Sequence, residues 1–173
     1  LNDGTVEISG RLGNAGSLLV QGGPLHVAAG GRLDNVGSYG LYARIETDGR
    51  LEIDGALSNN AYGTVVNGPG ATPDAGLYVG LAGPLDNGGR VDNHGRLGNA
   101  GLLVNNSAAT LYNDGVLTND GTLQNDGRLS NAGSLVSRGT LENGGNIVIV
   151  GAFTNTGALH NHGNIGNYGT FDN

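Results

Sequence analysis

The chain has 173 residues, of which 35 are glycine, with 13% charged and 5% aromatic residues and no cysteine, methionine or tryptophan. A formal net charge of -7 works against neutralising nucleic-acid phosphates, the missing cysteines exclude disulfide scaffolds and thiolate metal sites, and no run of about 18 apolar residues offers a membrane helix. Glycine does not recur at every third place, which excludes a collagen triple helix, and all eight basic residues are arginine.

In chain order the sequence resolves into hexads of the form N-x-G-x-[LIV]-x. The first half is the looser one. Its units start at Asn2, Ile8, Asn14, Gln21, Ala29, Asn35, Leu41, Thr47, Ile53, Ala61, Asn67 and Pro73, and several carry one or two extra residues. From Leu81 the units run almost without interruption: LAGPLD, NGGRVD, NHGRLG, NAGLLV, then, after an eight-residue unit at Asn105, NDGVLT, NDGTLQ, NDGRLS and NAGSLV, on to NYGTFD. The whole chain, 1–173, reads as one repeat domain without caps, with irregular coils over 1–80 and regular hexads over 81–173.

The columns dictate local structure. Positions one, three and five lie two residues apart, which is the strand period. The spacing predicts a short strand over G-x-L-x, its aliphatic residue inward and its neighbours outward. Asn opens 16 of 27 units, and Ile or Leu replaces it in some, so position one also faces inward, at a corner. The expected ladders are Asn113, Asn119, Asn125 and Asn131; Gly115, Gly121, Gly127 and Gly133; and Leu117, Leu123, Leu129 and Leu135. A stacked Asn amide would donate to one neighbouring coil and accept from the other. Gly at position three would supply positive φ and close backbone approach in a tight turn. A helix is excluded, because a glycine every sixth residue costs about 1 kcal/mol each in a helix interior.

A hexad buries about one large side chain and must stack to fold. Three hexads per coil fit better than two. Five arginines (Arg11, Arg32, Arg50, Arg90, Arg128) fall in one class when units are counted in threes, and a two-hexad coil would place Asp114 on Asp126. The expectation is an all-β, single-stranded parallel β-helix (β-solenoid) of about nine coils of 18–20 residues, a rod about 43 Å long at roughly 4.8 Å per coil. The order G-x-L favours the right-handed form.

Tandem N-x-G-x-[LIV]-x arrays of this kind resemble the stalks of filamentous-haemagglutinin-like exoproteins and of autotransporter passengers, which are bacterial adhesins. The resemblance covers essentially the whole chain and rests on the repeat. It implies an extracellular β-helical shaft at a bacterial cell surface. The secretion domain, barrel-forming segment and capping helix of those proteins have no counterpart in these residues.

Few residues suggest chemistry. Arg11, Arg32, Asp34, Arg50, Glu52, Arg90, Asp92 and Arg128 predict a charged strip along one face, with Arg32–Asp34 and Arg50–Glu52 on adjacent coils. Its plain reading is a solvated ion ladder; a lateral or glycan-binding strip is the functional one. Asp34 and Glu52 are the only nameable carboxylate pair for polysaccharide cleavage, and extensions of at most two residues leave no cleft to enclose a substrate, so no catalytic residue and no enzyme activity are expected. Asp3, Asp114, Asp120 and Asp126 fit turns better than calcium. His26, His94, His160 and His162 are too scattered for a metal, and no cofactor is expected. Thr118, Thr122, Thr140, Thr154 and Thr156 form no ice-binding column. Tyr39, Tyr42, Tyr62, Tyr78, Tyr112 and Tyr168 offer rings to sugars, mainly between 35 and 80, and Asn67–Pro73 is the expected bulge.

Leu1–Gly4 starts in register and Tyr168–Asn173 stops in it. Head-to-tail stacking, a heterologous contact that need not close, or flanking coils of a longer chain would result. The expected role is a structural shaft or filament subunit for adhesion, biofilm matrix or surface fibres. Its expected partners are itself and extracellular glycans, without nucleic acid or membrane insertion. The alternative is a polysaccharide-binding or polysaccharide-degrading β-helix.

Overall fold

Each hexad contributes one rung, and the rungs wind into a three-sided coil. The computed structural model describes residues 5–20, 23–69 and 75–173. Among them are 25 strands in three parallel sheets of nine, eight and eight, and each strand pairs with the third strand before and after it. The chain is therefore an all-β parallel β-solenoid of about eight turns, and the first sheet, which holds Val6–Ile8 and Thr170–Asp172, carries nine rungs. No helix is long and apolar enough to cross a membrane among the described residues.

The strand lies one residue later than the hexad pattern suggests. It spans x-L-x-N, as in Arg128–Asn131, and the next two residues make the corner. The aliphatic residue and the Asn are thus both strand residues pointing inward, and both are buried: Leu129 and Asn131 are each 0% exposed. The interior is three aliphatic columns, one per sheet. The first runs Leu97, Leu117, Leu135, Phe153, the second Leu85, Leu103, Leu123, Leu141, and the third Val91, Leu111, Leu129, Ile147. Every buried methyl is removed from water at roughly 25 cal/mol per Å² of apolar surface, so the repeat needs no disulfide.

Burying one Asn per hexad demands hydrogen bonds. At the corner after the second sheet the ladder is unbroken. Asn14 donates through Nδ2 to Asn35 Oδ1, and the pattern continues through Asn59, Asn87, Asn105, Asn125 and Asn143 to Asn161, at 2.7–2.8 Å throughout. The second amide proton goes to a backbone carbonyl, as from Asn105 to Arg128 O at 3.0 Å. The other two ladders are interrupted. Ile149 stands between Asn131 and Asn167, and Ser137 between Asn119 and Asn155. Such breaks explain three of the four buried acceptors without a partner among the described residues, Asp92 Oδ1 being the fourth: Asn67, Asn99 and Asn155 each open a run, above Thr47, Val79 and Ser137, and their Oδ1 atoms receive no donor.

The glycine column does not supply positive φ. Among the described residues only Gly30, Gly40 and Gly76 have it, and none occupies position three of a hexad. What the column supplies is close approach. Val116 N donates to Gly95 O at 2.8 Å, and a Cβ on Gly115 would collide with that same oxygen.

Two hexads do not form rungs, and each omission shifts the later strands to a different face of the rod. The unit at Asn35 leaves the coil after Asn35. Ser38 and Leu41 exchange backbone hydrogen bonds of 2.7 and 2.9 Å across a Tyr39–Gly40 tip, making a small hairpin at the corner. The unit at Asn67 likewise adds no rung to the coil: Gly63–Asn67 lies on the third sheet and the next described strand, Gly76–Val79, on the first, which is the following face; residues 70–73 of the expected bulge lie outside the described residues. The 27 hexads of the sequence thus correspond to 25 strands among the described residues.

Candidate binding surfaces

The displaced frame breaks the expected arginine strip. Arg11 and Arg32 share the second sheet, Arg50 lies on the first, and Arg90 and Arg128 lie on the third. Counting hexads in threes assigns Arg50 and Arg90 to the face of Arg32 only if the units at Asn35 and Asn67 are rungs. Arg32–Asp34 and Arg50–Glu52 are therefore not equivalent pairs on adjacent coils. Asp34 and Glu52 stand on different sheets, so no carboxylate pair forms there.

Locally, each pair does form. Outward residues two apart on a strand lie side by side, and Arg32 Nε meets Asp34 Oδ1 at 2.5 Å, Arg50 Nη2 meets Glu52 Oε1 at 3.2 Å, and Arg44 Nε meets Glu46 Oε2 at 3.0 Å. Arg90 Nε donates to Asp92 at 2.7 Å, and that bond holds the guanidinium above its ordinary value. Asp34 also accepts from Arg11 Nε at 2.6 Å, from the coil before. Its side chain is 3% exposed, so one buried carboxylate joins two stacked guanidiniums that would otherwise repel.

Asp114, Asp120 and Asp126 come directly after strands of three different sheets and hence occupy three corners. Their neighbours are His94 (2.6 Å), Arg138 (3.1 Å) and Gln124 (2.7 Å); Asp3 lies outside the described residues. His26 faces Asp54 at 3.0 Å and His160 faces Glu142 at 4.0 Å. No three His, Asp or Glu side chains come together among the described residues. The threonines stand on all three sheets: Thr118 and Thr154 on the first, Thr122 and Thr140 stacked on the second, and Thr110 on the third.

The tyrosines separate into two settings. Tyr39 and Tyr42 project from the hairpin, 92% and 74% exposed. The hairpin base is clamped by Asn60, whose Oδ1 accepts from Gly37 N at 3.1 Å and whose Nδ2 donates to Gly37 O at 2.7 Å. Tyr62 lies beneath it, in the same turn as Asn60. Tyr78, by contrast, lies on the first sheet, with the Arg50 guanidinium carbon 4.5 Å from its ring centroid.

Beside Tyr78 the wall is not smooth. Its neighbour on the next coil is Gly98, and the one beyond is Thr118. The missing side chain opens a cleft of about 360 Å³ lined by Tyr78, Arg96, Gly98, Val116, Thr118 and Asp120. The columns at positions one, three and five could not reveal it. The signal was a glycine at position six, in the RLGN run at 96–99. No protein-family model, no curated protein and no solved structure matches the chain, which is thus characterised by its parallel β-solenoid and the side chains on its three faces.

Proposed function

We propose that the chain is a structural shaft: a β-solenoid segment of an extracellular fibre at a bacterial cell surface, serving adhesion or a biofilm matrix and extended by further coils, either of a longer chain or of a second copy stacked head to tail. The observation that supports this reading is the uniform coil: 25 strands among the described residues lie in three parallel sheets, each strand paired with the third before and after it, over aliphatic and Asn columns whose contacts repeat from coil to coil. Such an architecture is elongated by nature and offers walls rather than an enclosing cleft. The N-x-G-x-[LIV]-x array resembles those of filamentous-haemagglutinin-like and autotransporter stalks, and supports the same placement.

Electron microscopy of the purified chain over a range of concentrations tests the head-to-tail form. Unbranched filaments with an axial repeat of about eight coils are expected. Discrete rods about 40 Å long at every concentration would overturn stacking between copies.

A further inference from the structure

We propose that the cleft at Gly98 binds a carboxylate-bearing sugar unit of a polysaccharide. This inference is independent of the shaft reading and stands on the side chains of one face.

The cleft exists because Gly98 interrupts an outward column between Tyr78 and Thr118. At about 360 Å³ it falls at the small end of ligand-sized clefts, roughly 300–1,000 Å³. One wall is the Tyr78 ring, which reaches over the glycine: a Cβ on Gly98 would sit 3.1 Å from Tyr78 Cδ1. Arg50 packs on that ring, and Arg50 is itself paired with Glu52, so the aromatic wall is held before anything binds. An aromatic wall of this kind takes the C–H face of a pyranose.

The polar groups are the second observation. Of the eight arginines, Arg96 and Arg128 are the two whose guanidiniums make no hydrogen bond or ion pair among the described residues. Arg96 lines the cleft; Arg128 stands on the third sheet, away from it. A free guanidinium fork matches a carboxylate in two parallel hydrogen bonds. On the same cleft, the Thr118 hydroxyl has no intramolecular partner among the described residues, and Asp120 is held by Arg138 at 3.1 Å. A hydroxyl that donates and accepts and a carboxylate that accepts are the partners sugar hydroxyls need. One cation, an aromatic wall and two hydroxyl-reading groups describe a uronate better than a neutral sugar, which would leave Arg96 unused. The cleft is open along the wall, so neighbouring units of a polymer can pass.

The test is a titration of the isotope-labelled chain with tri-galacturonate, monitored by NMR. Shifts are expected at the Gly98 and Thr118 amides and at Arg96 Nε, with binding weakened at least about tenfold by Arg96→Gln and unchanged by Arg128→Gln. Arg96 is exposed, so the variant keeps the fold; dispersed amide signals check this. Maltotriose should cause no shifts there. No shifts with tri-galacturonate, equal binding of maltotriose, loss of binding in Arg128→Gln alone, or equal binding of an acidic dipeptide would each overturn the assignment.

Discussion

Phe153 stacks on Phe171 with ring centroids 4.8 Å apart and planes 5° from parallel. The two residues are strand partners on successive coils, and the ring spacing equals the roughly 4.8 Å separation of hydrogen-bonded strands. The coil rise therefore sets the stack, and Phe153 is left with no exposed surface. Phe153→Ala is expected to lower unfolding free energy by about 3–5 kcal/mol, while Phe171→Ala, with only partly buried surface to lose, should cost clearly less. Chemical denaturation of the two variants decides this.

The Asn ladder makes predictions of both signs. Asn105→Ala removes the acceptor of Asn87 and the donor to Asn125, and each buried group left unpaired costs about 1–3 kcal/mol. Ser137→Asn does the reverse. It places an amide between Asn119 and Asn155 and offers a donor to the unpaired Asn155 Oδ1. The expected gain is about 1 kcal/mol, read as a higher denaturation midpoint with an unchanged slope.

Glycines at positions three and six of the hexad should respond differently. Gly115→Ala pushes a Cβ into Gly95 O and the His94 backbone. Backbone in the preceding coil cannot yield cheaply, so a loss of about 3 kcal/mol is expected, at the upper end for overpacking. Nothing lies within 4 Å of a Cβ on Gly13, and Gly13→Ala should stay within about 0.5 kcal/mol of the parent. Thermal melts of the pair give the comparison.

Asp34 is worth more than either arginine it joins. Asp34→Asn leaves Arg11 and Arg32 stacked without their shared carboxylate; both guanidiniums reach water, so the expected loss is about 1–3 kcal/mol, that of hydrogen bonds to a charged group. Arg11 is 73% exposed, so Arg11→Gln should cost under about 1 kcal/mol. Denaturant midpoints of the two variants in low salt would show the difference.

The hairpin at Tyr39 should depend on Asn60. Asn60→Ala removes both side-chain bonds to Gly37, and chymotrypsin cleavage after Tyr39 or Tyr42 should rise several-fold, with little change in global stability. Unchanged cleavage would mean that the loop holds itself.

The inward columns were legible from the residues because position one and position five carry the whole energetic case for the fold: Asn and Leu recur where amide stacking and apolar burial occur. The strand boundary was not, since Gly looks like a strand residue when it alternates with Leu, and only the contact of Gly115 with the coil before it shows why glycine is required outside the strand. The hairpin hid in plain pattern. Asn35–Gly40 reads as a hexad, yet it carries Tyr39 where other units carry an aliphatic residue or Phe, and an exposed ring there marks chain that has left the core. One such excursion reassigns Arg50 to another face, which is why the arginine strip dissolved while the core columns did not. Arg96 and Gly98 escaped for a related reason: a site made by an absent outward side chain leaves no trace in columns that record what points in.

The unbroken ladder from Asn14 to Asn161 also gives the rod a heading. All seven amides that donate along it do so toward the C-terminal coils. Donors therefore lead and acceptors trail, and an inverted coil laid on either face would bring donor to donor or acceptor to acceptor. Each layer of the ladder thus fixes for the next both its position and its orientation.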